Sequence, residues 1–185
     1  MIDYEPIIEK FYAPGSDAYR VLYSHSRQVA DLARTLCKRM ADKGVAMDEE
    51  FVYSAAMLHD IGIFKTNAPG IYCYGTQPYV CHGIIGAELM RELGLPRHAL
   101  VCERHTGSGI SAREIIEQHL PIEPPRDLLP ISLEEKVVCY ADKFFSKSHT
   151  TEPPKSLERV RKSLQKFGGE TLARFDALVA LFGEP

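Results

Sequence analysis

Apolar residues recur at steps of three and four along most of the chain, a period that predicts helices. Asp3 opens a short helix carrying Ile7, Ile8 and Phe11, which Pro14-Gly15 ends. Ser16 or Asp17 starts a long helix whose stripe runs Leu22, Val29, Leu32, Leu36, Met40, and Gly44 closes it. Asp48 caps the next helix, which buries Val52, Ala55 and Leu58 and stops at Gly62. Further helices are expected over 82–93 and 96–105. Ser111 with Glu114, and Ser132 with Glu135, have capping-box spacing, and a proline-rich connector, Pro121 to Pro130, lies between them. The helix begun at Ser132 is expected to run out near Lys147. Beyond Pro153-Pro154, two amphipathic helices carry Leu157, Val160, Leu164 and Phe167, then Leu172, Phe175, Val179 and Phe182. Strand alternation and repeats do not show. The expected fold class is all-α.

One segment breaks the rhythm. From Ile63 to Cys81 the chain carries Pro69, Gly70, Gly75 and Pro78, too much punctuation for a helix. A loop of this length inside a compact domain is usually functional or disordered.

At 185 residues, one domain is expected over 1–185, with a core over 17–147 and a C-terminal helical extension over 155–183. The 22 basic and 25 acidic side chains give a net charge of −3, which argues against wrapping a nucleic-acid polymer. A small phosphorylated ligand is still allowed, because a local site can neutralise its charge. No run of 18 apolar residues is present to span a membrane, and Met1 to Lys10 is too acidic for a signal peptide. The five cysteines are odd in number and form no close pairs, so they read as reduced thiols in a cytoplasmic protein. A homodimer is compatible with all of this.

Polar residues on the apolar stripes carry the chemistry. His25 sits between Leu22 and Val29, where the core-facing residues point. His59 follows Val52 by seven, and Asp142 follows Val138 by four. His105 follows Val101 and Cys102 at helical spacing, and His82 heads its helix. A buried carboxylate costs several kcal/mol unless it is paired or metal-bound. Four histidines and two aspartates in such positions point to a cation, and their nitrogens and oxygens suit Zn, Mn, Fe, Co or Mg. Asp60 has two oxygens and can bridge two metals, which one imidazole nitrogen cannot.

His25, His59-Asp60 and Asp142 resemble the H…HD…D signature of the HD-domain metal-dependent phosphohydrolases. His59-Asp60-Ile61-Gly62 matches the HDIG form of that motif. His82 and His105 resemble the two extra histidines of members with a binuclear centre. The blocks Glu103 to Gly107 and Glu135 to Lys143 are similar to those of bacterial symmetrical dinucleoside-tetraphosphate hydrolases and of uncharacterised HDIG-domain proteins. The resemblance covers about Tyr19 to Lys147. It implies an HD-domain helical bundle with the long loop over the metal site. One metal would be held by His25, His59, Asp60 and Asp142, and a second by Asp60, His82 and His105. The implied activity is hydrolysis of a phosphate ester or anhydride, of a nucleotide in the first instance, by a metal-activated water. The same ligand types also serve HD-domain di-iron oxygenases and regulatory modules without turnover, and both stay open.

Many HDIG proteins carry a lysine directly after the glycine, where this chain has Ile63. Lys65 or Arg104 is the expected catalytic cation beside Asp60, each weighed evenly against a surface role. Tyr72, Tyr74 and Tyr79 are expected to stack on substrate or to pack the loop. His98, His119 and His149 are expected to be surface or structural, and Cys81, Cys102 and Cys139 to fill the core.

Overall fold

The computed structural model describes residues 2–185, and it is mostly helical. Nine α-helices are described: α1 Glu5–Phe11, α2 Asp17–Ala41, α3 Glu49–Leu58, α4 His82–Glu92, α5 Pro96–Arg104, α6 Ala112–Glu117, α7 Leu133–Asp142, α8 Leu157–Leu164 and α9 Gly169–Phe182. Tyr4, not Asp3, occupies the cap of α1 and makes no side-chain capping bond. Ser16, Asp48, Ser111, Ser132 and Ser156 each accept a backbone N–H at the start of their helix. The capping box closes at Ser111–Glu114 only. The Glu135 carboxylate turns instead to the Ile131 N–H, 2.9 Å away, and to Arg104, 3.0 Å away.

Two expectations about helix ends need correction. The third helix stops at Leu58, before Gly62, so His59 and Asp60 lie in a turn that continues as a 3-10 segment over Ile61–Lys65. The seventh stops at Asp142 and not near Lys147. The 63–81 segment holds more regular structure than its composition suggests. Besides 3-10 turns it contains a small antiparallel pair, β1 Asn67–Ala68 and β2 Cys73–Tyr74, with Asn67 opposite Tyr74.

One apolar cluster joins α2, α3, α4, α5 and α7 and extends to Val160 and Leu164 of α8 and Phe175, Leu178 and Phe182 of α9. Close backbone approaches set the positions of the site-bearing helix ends. A Cβ on Gly62 would lie 2.3 Å from the His82 carbonyl oxygen and 2.5 Å from the Gly86 nitrogen. A Cβ on Gly83 would lie 2.5 Å from the Cys102 carbonyl oxygen. Glycine at these places therefore lets α4 rest directly on the turn after Asp60 and on α5. The Tyr12 hydroxyl pins the same turn, donating to the Ile61 carbonyl at 2.8 Å and accepting from the Phe64 N–H at 3.2 Å.

Candidate metal centre

Six side chains converge from five places in the fold. His25 comes from the third turn of α2, on its buried face, His59 and Asp60 from the end of α3, His82 from the start of α4, His105 from the end of α5, and Asp142 from the last residue of α7. All six are buried. Their donor atoms fall into two groups that share Asp60: His25, His59, Asp60 and Asp142, then Asp60, His82 and His105.

The carboxylate of Asp60 divides its oxygens between the groups. Oδ2 lies 3.3 Å from His25 Nε2 and 3.2 Å from His59 Nε2. Oδ1 lies 3.3 Å from His82 Nε2 and 3.3 Å from His105 Nε2. Asp142 Oδ1 completes the first group, 3.0 Å from His25 Nε2 and 3.5 Å from His59 Nε2.

Local backbone fixes which nitrogen faces inward. His59 Nδ1–H donates to the Ala56 carbonyl at 2.6 Å, His82 Nδ1–H to Tyr79 at 2.6 Å, and His105 Nδ1–H to Cys102 at 2.7 Å. Each acceptor lies three residues upstream, at a helix end or a 3-10 turn. The outer nitrogens are thus donors, and the inner Nε2 atoms present lone pairs. Nε2 of His82 and of His105 are 3.1 Å apart, and both face Asp60 Oδ1. Three lone-pair atoms at such distances repel unless a cation lies among them. Ligand bonds of about 2.0 to 2.2 Å give ligand–ligand edges between about 2.8 Å in octahedral and about 3.6 Å in tetrahedral sites. The observed separations have that size, so the residues fit a divalent cation.

The metal-free electrostatics agree. Burial raises the Asp60 pKa, but the neighbouring His59 and Lys147 hold it well below the usual carboxylate range. Burial pulls His59 down, yet the carboxylates of Asp60 and Asp142 outweigh it and push the ring up to about 9. His105, by contrast, is held down to about 4, chiefly by burial, and keeps its inner nitrogen free. Among the described residues, no hydrogen bond of ordinary geometry reaches His59 Nε2 or either oxygen of Asp60.

Lys143, the last residue of the Glu135 to Lys143 block, and Lys147, four residues beyond it, stand over these carboxylates. Lys147 Nζ is 2.7 Å from Asp60 Oδ2, and Lys143 Nζ is 2.7 Å from Asp142 Oδ2 and 3.1 Å from the His105 carbonyl. Burial lowers the Lys147 pKa, but Asp60 more than compensates and holds it above the ordinary lysine range. The expected cations lie elsewhere. Lys65 is exposed, lies over the Phe64 ring, and lines a separate depression with Gln77 and Glu88. Arg104 is bound to Glu135 at 3.0 Å. The 3-10 turn after Asp60 directs Lys65 outward, and the buried Glu135 holds Arg104.

The loop tyrosines divide as well. Tyr72 and Tyr74 are 49% and 74% exposed, and neither lines the cavity at the centre. Tyr79 stacks on His82, with ring centroids 4.7 Å apart, and does line it. His98 is structural: buried, it shares a 3.0 Å hydrogen bond with Ser54 and packs edge-on against Phe51. His119 and His149 are exposed. All five cysteines are buried and free.

Four histidines and two aspartates converging inside a mostly helical fold, with the adjacent pair His59-Asp60 at a helix end, define a class of protein. The HD domain family matches residues 22–146, and the chain belongs to it. An uncharacterised protein of Methanocaldococcus jannaschii is 37% identical over 143 residues, 77% of this chain and 76% of that protein. A tRNA (cytidine(56)-2'-O)-methyltransferase of Thermoplasma volcanium is 27% identical over 93% of this chain. One of Picrophilus torridus is 37% identical over 58% of it. The chain spans only 45% and 28% of those two enzymes. In fold, the chain is similar to the HD domain of the Listeria monocytogenes phosphodiesterase PgpH, solved in complex with cyclic-di-AMP. The TM-score is 0.52 at 16% identity, over 96% of this chain and 95% of that one. No helix of the described residues is long and apolar enough to cross a membrane.

Proposed function

We propose that this chain is a metal-dependent phosphohydrolase that cleaves a phosphate ester or anhydride of a nucleotide. The observation that carries the reading is the division of Asp60: one buried carboxylate offers Oδ2 to one ligand group and Oδ1 to the other. His25, His59, Asp60 and Asp142 would hold one cation, and Asp60, His82 and His105 a second. Bound there, divalent cations lower the pKa of water from about 15.7 towards 7 to 9 and stabilise charge on phosphoryl oxygens.

The chain's own groups do the rest. The three Nδ1–H bonds to backbone carbonyls hold the rings in the ligating orientation. Lys143 and Lys147 offer ammonium groups to a phosphate oxygen beside Asp142 and Asp60, the role first expected of Lys65 or Arg104. Cys139 lies behind His105 with its thiol held up to about 11, mainly by burial, and supplies no nucleophile. The family and the phosphodiesterase fold relative support hydrolysis. That relative's cyclic dinucleotide supports a nucleotide as the first substrate class to test.

The test is metal analysis of protein purified without added metal, followed by hydrolysis assays on nucleotides with Mn²⁺, Fe²⁺, Co²⁺, Zn²⁺ and Mg²⁺ separately. Release of phosphate or a nucleotide that is lost with Asp60→Ala is the expected result. No hydrolysis with any metal, together with oxygen uptake by the iron form, would move the chain to the oxygenase class.

A further inference from the structure

The cavity at the centre continues beyond the carboxylates. It is about 430 Å³ in volume and runs from His82, His105 and Asp142 out to α8 and α9. That size lies in the usual range of small-molecule sites.

The two ends differ in chemistry. Lys143, Lys147 and Lys155 line the cavity beside Asp142. The first two face Asp142 and Asp60, as described, while Lys155 donates to the Phe145 carbonyl at 3.2 Å. Two ammonium groups balance two carboxylates here, and Lys155, which is paired with neither, adds a further basic side chain to this end. Glu114, an acid further along the wall, is already bound by Arg174 at 2.7 Å.

The outer end is mostly apolar, with Ile110, Leu120, Val160 and Leu164 on its walls, Phe167 at the turn between α8 and α9, and the uncharged polar side chains of Gln118, Ser163 and Thr171 among them. Phe167 is 56% exposed although it belongs to the apolar stripe of its segment. It extends the apolar wall toward solvent, where a flat group can lie against it.

We infer that this cavity binds a phosphate monoester, its single anionic end at the lysines and a flat, largely apolar group against the α8–α9 wall. This rests on the phosphohydrolase reading and narrows it. A substrate charged along its length, such as a dinucleoside polyphosphate, would press phosphates against Val160 and Leu164, and burying an unpaired charge there is unfavourable. The C-terminal helices thereby become the part of the chain that selects the substrate.

Calorimetric titration of the metal-loaded full chain tests this with three probes: inorganic phosphate, methylphosphonate and phenylphosphonate. The two phosphonates share a head group and differ by the ring. Phenylphosphonate should bind at least fivefold more tightly than methylphosphonate. Phe167→Ala should remove most of that preference while leaving methylphosphonate affinity unchanged, and Lys155→Gln should weaken both phosphonates severalfold. Phe167 is largely exposed and Lys155 half-buried, so both variants should fold, which thermal melting checks. Equal affinity for the two phosphonates, or a preference untouched by Phe167→Ala, overturns the inference and leaves the hydrolase reading standing. If none of the three probes binds the loaded protein, the phosphohydrolase reading itself fails, and the inference with it.

Discussion

Gly62→Ala separates the metal cage from the rest of the fold. The added Cβ would stand 2.3 Å from the His82 carbonyl oxygen and 2.5 Å from the Gly86 nitrogen. Both are backbone atoms of α4, so no side chain can swing aside. Reaching ordinary contact at 3.4 Å requires the start of α4 to retreat by roughly 1 Å. Overpacking of this kind costs about 1 to 3 kcal/mol. For a chain of this size each kcal/mol lowers Tm by about 2 to 4 °C. The displacement falls on His82, whose Nε2 is 3.3 Å from Asp60 Oδ1 and 3.1 Å from His105 Nε2. A ligand shifted by 1 Å leaves the bonding range, so the group of Asp60, His82 and His105 should lose its metal first. The group of His25, His59, Asp60 and Asp142 contains no α4 residue and should keep its own. The assay is metal content per chain by mass spectrometry, alongside thermal melting. Gly70→Ala is the control, since a Cβ there meets nothing within 4 Å. Two metals per chain and an unchanged Tm in Gly62→Ala would refute the idea that this glycine sets the cage.

Asp60→Ala should lose both metals and all activity, whereas His105→Ala should lose mainly the second, as metal analysis of each would show; two metals retained in Asp60→Ala would contradict the bridge. Lys147→Ala should lower kcat/KM at least tenfold, with Lys65→Ala within about twofold of the parent; the reverse order would restore Lys65 to the site. His98 is held down to about 4, chiefly by burial, so the unfolded chain binds its proton first as pH falls. Its contribution should therefore be complete above about pH 6.5 and decline towards pH 4, by about 1.4 kcal/mol per unit. Denaturation of the parent and His98→Gln across that range should diverge in slope; parallel curves would count against the assignment.

The convergence of the six candidate residues was legible because helical period makes buried polarity visible. His25 between Leu22 and Val29, and Asp142 four after Val138, are polar residues at core positions, and burial bears that out. Lys147 was not legible as a site residue, since it follows the end of α7 in a turn where no period says which way a side chain points. Proximity in sequence pointed to Lys65 instead, five residues after Asp60, but a 3-10 turn changes direction faster than a helix would. Tyr72 and Tyr74 fell to the same difficulty. Tyr79 differs because it lies one 3-10 turn before the α4 start, where its ring stacks on His82. The half-made capping box at Ser132 shows the limit of a spacing rule: Glu135 had a better partner in Arg104, 31 residues away in sequence.

The three Nδ1–H bonds that orient His59, His82 and His105 also bear on what the fold would lose without a cation at this site. Each ring is tied to backbone at its outer nitrogen, so its rotamer entropy is spent during folding and not at the moment of ligation. The charge left behind is met by Lys143 and Lys147, which already lie against the two carboxylates. A zinc finger collapses without its ion because binding energy there is folding energy. In this chain the two would be separated: the expected outcome is a metal-free protein that melts cooperatively, within a few degrees of the metal-loaded form, and thermal melting with and without chelator checks it.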